Sequence, residues 1–139
     1  MTTSEATILL VDDSKEDRIL MAQALTDAGL AGKIDQVSDA EEAESYFLRK
    51  LGEGTVPQMV MLDLTLPKRS GLELLETWNA NGFTKLTRVI VLSSVLPEGD
   101  IARLRRLGAI RVFEKPLDLQ EFFALGKHVK ELASMSAAG

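Results

Sequence analysis

Apolar residues in this chain gather into short unbroken runs, separated by stretches in which they recur at helical spacing. The first run is TILLVDD (7–13), where Ile8 to Val11 follow one another without a polar break, as in a strand covered on both faces. Ser14 can cap a helix after it. Leu20, Met21, Ala24, Leu25 and Ala28 then repeat at helical spacing, with Gly29 placed to end the helix. KIDQV (33–37) is a weaker, more polar strand, expected nearer an edge. A second helix is expected from about Asp39, with Ala40, Ala43, Phe47 and Leu51 on one face and Gly52 and Gly54 at its end.

QMVMLDL (58–64) is the next buried strand and leads into the loop TLPKRS. Ser70 and Glu73 have the spacing of a capping box, opening a helix that carries Leu72, Leu75 and Trp78. RVIVLSS (88–94) is another two-sided strand. Pro97 suits the first turn of a short helix with Ile101, Leu104 and Gly108. IRVFE (110–114) reads as a fifth strand. Asp118 and Glu121 form another capping box before a last helix whose stripe is Phe122, Leu125, Val129 and Leu132, and the tail SMSAAG is expected to fray. Strand and helix alternate five times over short links, which predicts an α/β fold: a parallel sheet with helices on both faces and right-handed crossovers.

Composition narrows the function. With 16 basic and 21 acidic residues among 139 the net charge is −5, so nucleic-acid binding through bulk charge is not expected. The chain has no cysteine, which removes disulfides and thiolate metal sites. The start, MTTSEA, lacks the basic and apolar regions of a signal peptide, and no apolar run approaches membrane-spanning length. The expectation is one cytoplasmic domain over 1–139, with its core at about 6–132.

Ligand sites in open α/β sheets lie beyond the carboxyl ends of the strands. Here strand one ends in Asp12 and Asp13, strand three in Asp63, strand four in Ser93 and Ser94, and strand five in Lys115-Pro116. If strands one and three are neighbours, three carboxylates meet at one rim. Two unit charges about 4 Å apart repel by roughly 4 kcal/mol at an effective dielectric near 20, so such a rim needs compensation. Lys115 can neutralise one charge, and a divalent cation with oxygen ligands, Mg²⁺ above all, is the natural complement for the others.

Together VDDS (11–14), MLDLTLPKRSG (61–71), VLSS (91–94) and FEKP (113–116) resemble the receiver domain of two-component response regulators, in the right order and spacing. The resemblance implies a flavodoxin-like, doubly wound five-stranded sheet of order 2-1-3-4-5 with five helices. It implies that Asp63 is the phosphoacceptor, forming an aspartyl phosphate. Asp12, Asp13, Asp63 and the backbone carbonyl of Thr65 then hold Mg²⁺, and Ser93 and Lys115 bind the phosphoryl group and take part in the switch. It further implies a cis peptide before Pro116, and a loop shaped by Pro67 beside the acids. Such a protein is no enzyme in the ordinary sense, catalysing only its own phosphorylation and dephosphorylation. Its partners would be a sensor histidine kinase and a downstream protein or phosphotransfer protein, with no nucleic acid and no membrane. DLTLPKRSGLELL with KPLDLQEFF looks most like the stand-alone regulators paired with phytochrome-type histidine kinases.

One position departs from the pattern. The family places an aromatic residue three before the lysine, and here that residue is Val112. Phe113 shares a face with Lys115 and cannot replace the missing ring. Arg103, Arg105, Arg106 and Arg111 read either as a solvated face or as a docking surface for an acidic partner or a second copy, a homodimer through the fourth helix, fifth strand and fifth helix. Phe123 reads as interface or core. Trp78 reads as core, and His128 has no assigned role. Two alternatives remain: a degenerate receiver acting as an unphosphorylated interaction module, and a phosphohydrolase with an Asp nucleophile. The second needs another Asp two residues after the first, where Thr65 stands.

Overall fold

The computed structural model describes residues 6–30, 32–95 and 100–135. Pro97, the opening residues MTTSEA apart from Ala6, and the last four residues of the tail lie outside them. Strands β1 (Ala6–Val11), β2 (Gly32–Val37), β3 (Met59–Asp63), β4 (Arg88–Ser93) and β5 (Ala109–Glu114) alternate with helices. These are α1 (Lys15–Asp27), α2 (Ala40–Glu53), α3 (Gly71–Ala80), α4 (Asp100–Arg106) and α5 (Leu119–Ser134), with a 3-10 turn at Phe83–Lys85. The strands form one sheet in the order β2-β1-β3-β4-β5, and every pairing is parallel. The chain therefore reverses its direction of travel across the sheet between β1 and β3.

Alternation along the inner strands builds two cores. Leu9, Val11, Val60, Leu62, Val89 and Val91 face α2, α3 and α4, where they meet Ala43, Phe47, Leu75, Trp78 and Leu104. Ile8, Leu10, Met59, Met61, Ile90 and Leu92 face α1 and α5, against Leu25, Phe122 and Val129. All five residues of β3 are buried, which explains its continuous apolar run. Trp78 is fully buried with its ring 4.9 Å from Phe47, as expected of a core residue.

The N-cap residues act as read, but the capping box expected of Asp118 and Glu121 is a correction: the Glu121 carboxylate accepts from Leu117 N–H at 2.7 Å and not from Asp118 N–H. Ser14, Asp39, Ser70 and Asp118 each accept a hydrogen bond from a backbone N–H in the first turn of the helix they cap, and Ser70 with Glu73 completes a capping box. At the end of α1 the cap is Ala28, with Gly29 just beyond it at φ +94°. Leu51 is a correction: it is 38% exposed, and Tyr46 at 6% takes the place expected of it.

Strand β5 carries an irregularity. Val89 pairs with Ala109, but Ile90 pairs with Arg111, so one extra residue enters β5. As a result Ile110 and Phe113 both face the α1–α5 core, while Ala109 and Val112 face the other. Among the described residues no helix is long and apolar enough to cross a membrane.

Candidate functional site: an acidic rim closed by a lysine

Beyond the carboxyl ends of β1 and β3, the sheet delivers Asp12, Asp13 and Asp63 to one place. One carboxylate oxygen from each lies within 4.8 Å of the others. Val11 pairs with Leu62, so the next residues, Asp12 and Asp63, emerge side by side. Asp63 is 2% exposed and Asp12 7%, whereas Asp13 faces solvent. Two buried carboxylates this close are costly unless each is bonded and paired. Asp63 Oδ1 accepts from Thr65 N–H at 2.9 Å, and Asp12 Oδ1 accepts from Ser14 N–H at 2.9 Å.

Lys115 supplies the charge. It follows β5 directly, held by its N–H donating to the Ser93 carbonyl at 2.8 Å. Its Nζ lies 2.9 Å from Oδ2 of Asp12, of Asp63 and of Asp17 alike. The side chain borders an apolar pocket lined by Leu10, Met61, Leu92 and Phe122, so the stem is sheltered while the head meets oxygen. Burial alone would lower the Lys115 pKa, but the hydrogen bonds to Asp63, Asp12 and Asp17 outweigh it and hold the ammonium above its ordinary value of 10.5. For Asp12 burial wins: it pushes the carboxyl above the usual 3.8 against the bonds from Ser14 and Lys115.

The donor set fits a hard divalent ion. Oxygen ligands about 2.0–2.1 Å from an octahedral ion lie about 3 to 4 Å from one another, which three carboxylates within 4.8 Å can meet with little movement. Ser93, 6% exposed, stands at the same rim one residue past the partner of Asp63 in β4, and its hydroxyl donates to the Val95 carbonyl at 2.5 Å. Thr65 is exposed on the loop after Asp63. Pro67 is also exposed on that loop, and Lys68 beside it takes a left-handed backbone at φ +66°. The loop turns back so that Gly71 N–H donates to the Leu64 carbonyl at 3.0 Å.

The Lys115–Pro116 peptide is trans, as is every described peptide bond, which corrects the expected cis bond. Trans is the lower-energy isomer of an X–Pro bond by roughly 0.5–1 kcal/mol, and here Lys115 reaches all three carboxylates from it. Two residues of the site were not anticipated. Asp17, in the first turn of α1, shares Lys115; its only sequence signal is an acid at a helix start, which the helix dipole explains equally well. At Gly71 any Cβ would stand 2.2 Å from the Asp63 carbonyl oxygen, so only glycine lets α3 begin against the back of the acidic strand. A glycine as the first residue of a helix, where it is a poor former, was the available signal.

The remaining residues separate by place. Arg103, Arg105, Arg106 and Arg111 are exposed around α4 and β5, and Arg103 pairs with Glu76 of α3. Val112 is half-buried against the α2–α4 core, and Phe113, with the His128 ring 5.2 Å away and tilted 59° to it, faces the α1–α5 core as expected from Lys115. Phe123 is half-buried against that same core.

The sequence profile of the response regulator receiver domain matches residues 8–126, and the chain belongs to that family. It is 30% identical over 125 residues to a probable methanogenesis regulatory protein, FilR2, of Methanothrix harundinacea, covering 89% of this chain and 81% of that one. It is 31% identical over 121 residues to response regulator Rcp1 of Synechocystis, covering 85% and 82% respectively. A solved Mn²⁺-bound form of Rcp1 superposes with a TM-score of 0.80 at 27% identity over 94% of this chain and 97% of that one. The phosphorylated cyanobacterial phytochrome response regulator RcpA superposes with a TM-score of 0.84 at 28% identity, over 96% and 98%.

Proposed function

We propose that residues 6–132 work as one receiver unit that accepts a phosphoryl group on Asp63 from a histidine kinase. The observation that carries this is the placement of Asp63: a buried carboxylate at a strand end, within a three-acid cluster and 2.9 Å from an ammonium. A carboxylate oxygen of Asp63 attacks phosphorus, and the bond from phosphorus to the donor breaks. The leaving imidazole of a phosphohistidine takes the electron pair and a proton from solvent; the leaving acetate of acetyl phosphate needs no proton. Hydrolysis reverses the modification when water attacks phosphorus and Asp63 leaves as its carboxylate.

Asp12, Asp13 and Asp63, with the Thr65 carbonyl, would hold Mg²⁺, which when bound offsets charge on the phosphoryl oxygens. Lys115 exchanges its bond to Asp63 for a phosphoryl oxygen, and Ser93 exchanges its bond to the Val95 carbonyl for another. The exchange at Ser93 shifts the population of arrangements around α4, β5 and α5. Val112 leaves a smaller packing change there than an aromatic would. That region, with Arg103, Arg105, Arg106, Arg111, Val112 and Phe123, is where a downstream protein, a phosphotransfer protein or a second copy would read the change. The likeness to RcpA, a cyanobacterial phytochrome response regulator, supports a phytochrome-type sensor kinase as donor, and a cytoplasmic setting is proposed with it.

Intact mass after incubation with acetyl phosphate tests the reading. One added phosphoryl group is expected in wild type with Mg²⁺, and none in Asp63→Asn or without the ion. A folded wild type that neither binds Mg²⁺ nor gains mass overturns it in favour of an unphosphorylated interaction module.

A further inference from the structure

Asp17 is the one carboxylate at the rim with no task so far. It lies outside the metal-competent cluster of Asp12, Asp13 and Asp63, yet it holds Lys115 at the same 2.9 Å as two members of that cluster. Its place is set by a closed ring of bonds. Asp17 N–H donates to Ser14 Oγ at 3.2 Å, Ser14 N–H donates to Asp12 Oδ1 at 2.9 Å, and Lys115 Nζ joins Asp12 to Asp17. Arg18 Nη1 donates to the Asp12 carbonyl at 2.7 Å and ties the same helical turn to the end of β1.

Lys115 occupies Oδ2 of both Asp12 and Asp63, oxygens that belong to two of the three acids available to a cation. An ammonium and a divalent ion on the same oxygens repel each other, so one displaces the other. An ammonium displaced into solvent would leave the site without its lysine. Asp17 offers an anionic partner that the cation does not need.

We propose that Asp17 is a positioning residue that retains Lys115 at the rim when a divalent cation takes the carboxylates of Asp12 and Asp63. The ammonium then stays within reach of whatever Asp63 carries. This rests on the receiver reading above. Asp17 acts through Lys115, so its effect on cation binding depends on Lys115 being present, whereas a plain effect of removing a negative charge does not.

Calorimetric titration of the full chain with Mg²⁺ separates the two, using wild type, Asp17→Asn, Asp17→Glu, Lys115→Met and the Asp17→Asn/Lys115→Met double variant. Asp17→Asn is expected to weaken Mg²⁺ binding roughly 3–10-fold in the wild-type background, in the range of coupling between contacting residues. In the Lys115→Met background it should weaken binding less than about 2-fold, as for a half-buried charge left without its ion-pair partner. Asp17→Glu should recover most of the loss, and Asp17→Ser gives a second neutral variant should the asparagine disturb the helix start. An equal loss in both backgrounds, or no loss in either, overturns the proposal while leaving the receiver reading intact. A folded wild type that binds no Mg²⁺ strikes that reading and this proposal with it.

Discussion

At Lys115 one ammonium is shared by three carboxylates, and its protonation is tied to folding through them. Its folded pKa lies above the ordinary 10.5, because the bonds to the acids outweigh burial. The stability it contributes is therefore complete below about pH 10.5 and is lost as pH rises through the folded value. Lys115→Met is expected to lower the urea midpoint at pH 7, and to remove that component of the decline seen in wild type above about pH 10.5. Urea unfolding of both proteins from pH 7 to 11 checks it; parallel curves would mean that Lys115 is not tied to folding. Asp12, Asp13, Asp63, Ser93 and Lys115 were legible at this scale because each ends a strand, and strands of a parallel sheet end together. Asp17 was not, since its link to Lys115 arises only when α1 is laid beside the end of β5. The cis bond before Pro116 was implied only by the family resemblance, and the described peptide is trans.

Among the elements, α3 shows how closely the scaffold and the site are joined. Its first residue, Gly71, lies against the Asp63 carbonyl, and its capping box is Ser70 with Glu73. Ser70→Ala removes the bond to Glu73 N–H and is expected to cost about 0.5–2 kcal/mol, read as a lower urea midpoint with an unchanged slope. A change in that slope would point instead to a loss of two-state unfolding. On the other face of the sheet α5 packs against α1, where a Cβ on Gly126 would come 2.7 Å from the Ala24 carbonyl, so the close crossing depends on that glycine. Helix starts were readable because a cap and its partner lie three residues apart. The buried face of α2 was only partly readable. The stripe Ala40, Ala43, Phe47, Leu51 is a true helical period, but burial stops at Phe47 and Leu51 in the last turn is 38% exposed. Tyr46 instead turns inward and donates its hydroxyl to Asp35 of β2 at 2.6 Å.

Taken as a whole, the molecule has two poles with different chemistry. The acids and Lys115 occupy the carboxyl end of the sheet. At the amino end, Gln58 and Arg88 donate to the Ala133 and Leu132 carbonyls and satisfy the last turn of α5. Charge is thus concentrated where two buried carboxylates are least at ease, and a ligand that joins them must stabilise the whole fold. Saturating Mg²⁺ at about 100 times its dissociation constant is expected to add about 2.7 kcal/mol and raise the melting midpoint by several degrees. Chelator should return it, and Asp13→Asn, which removes the exposed member of the three-acid cluster without opening the core, should abolish most of the rise. A midpoint indifferent to Mg²⁺ in scanning calorimetry would contradict the ion's place here. The strand order was readable as a class from the alternation of runs, and in detail only through the family's pattern.

The extra residue in β5 has a consequence for anyone editing this strand. Ile110 is the residue left out of the register, between Ala109 opposite Val89 and Arg111 opposite Ile90, and with Arg111 removed Ala109, Ile110, Val112 and Phe113 alternate faces without interruption. A one-residue deletion is usually ruinous in a strand, because everything beyond it turns over. Deleting Arg111 should leave Phe113 and Lys115 on their present faces and the chain folded, with the bulge ironed flat. Deleting Val112 instead should put Arg111 in its place against the α2–α4 core and cost the cooperative melt. Parity in this strand can be counted back from the lysine but not forward from Ala109, so two sequences aligned without a gap here would disagree about which of their residues meet the core.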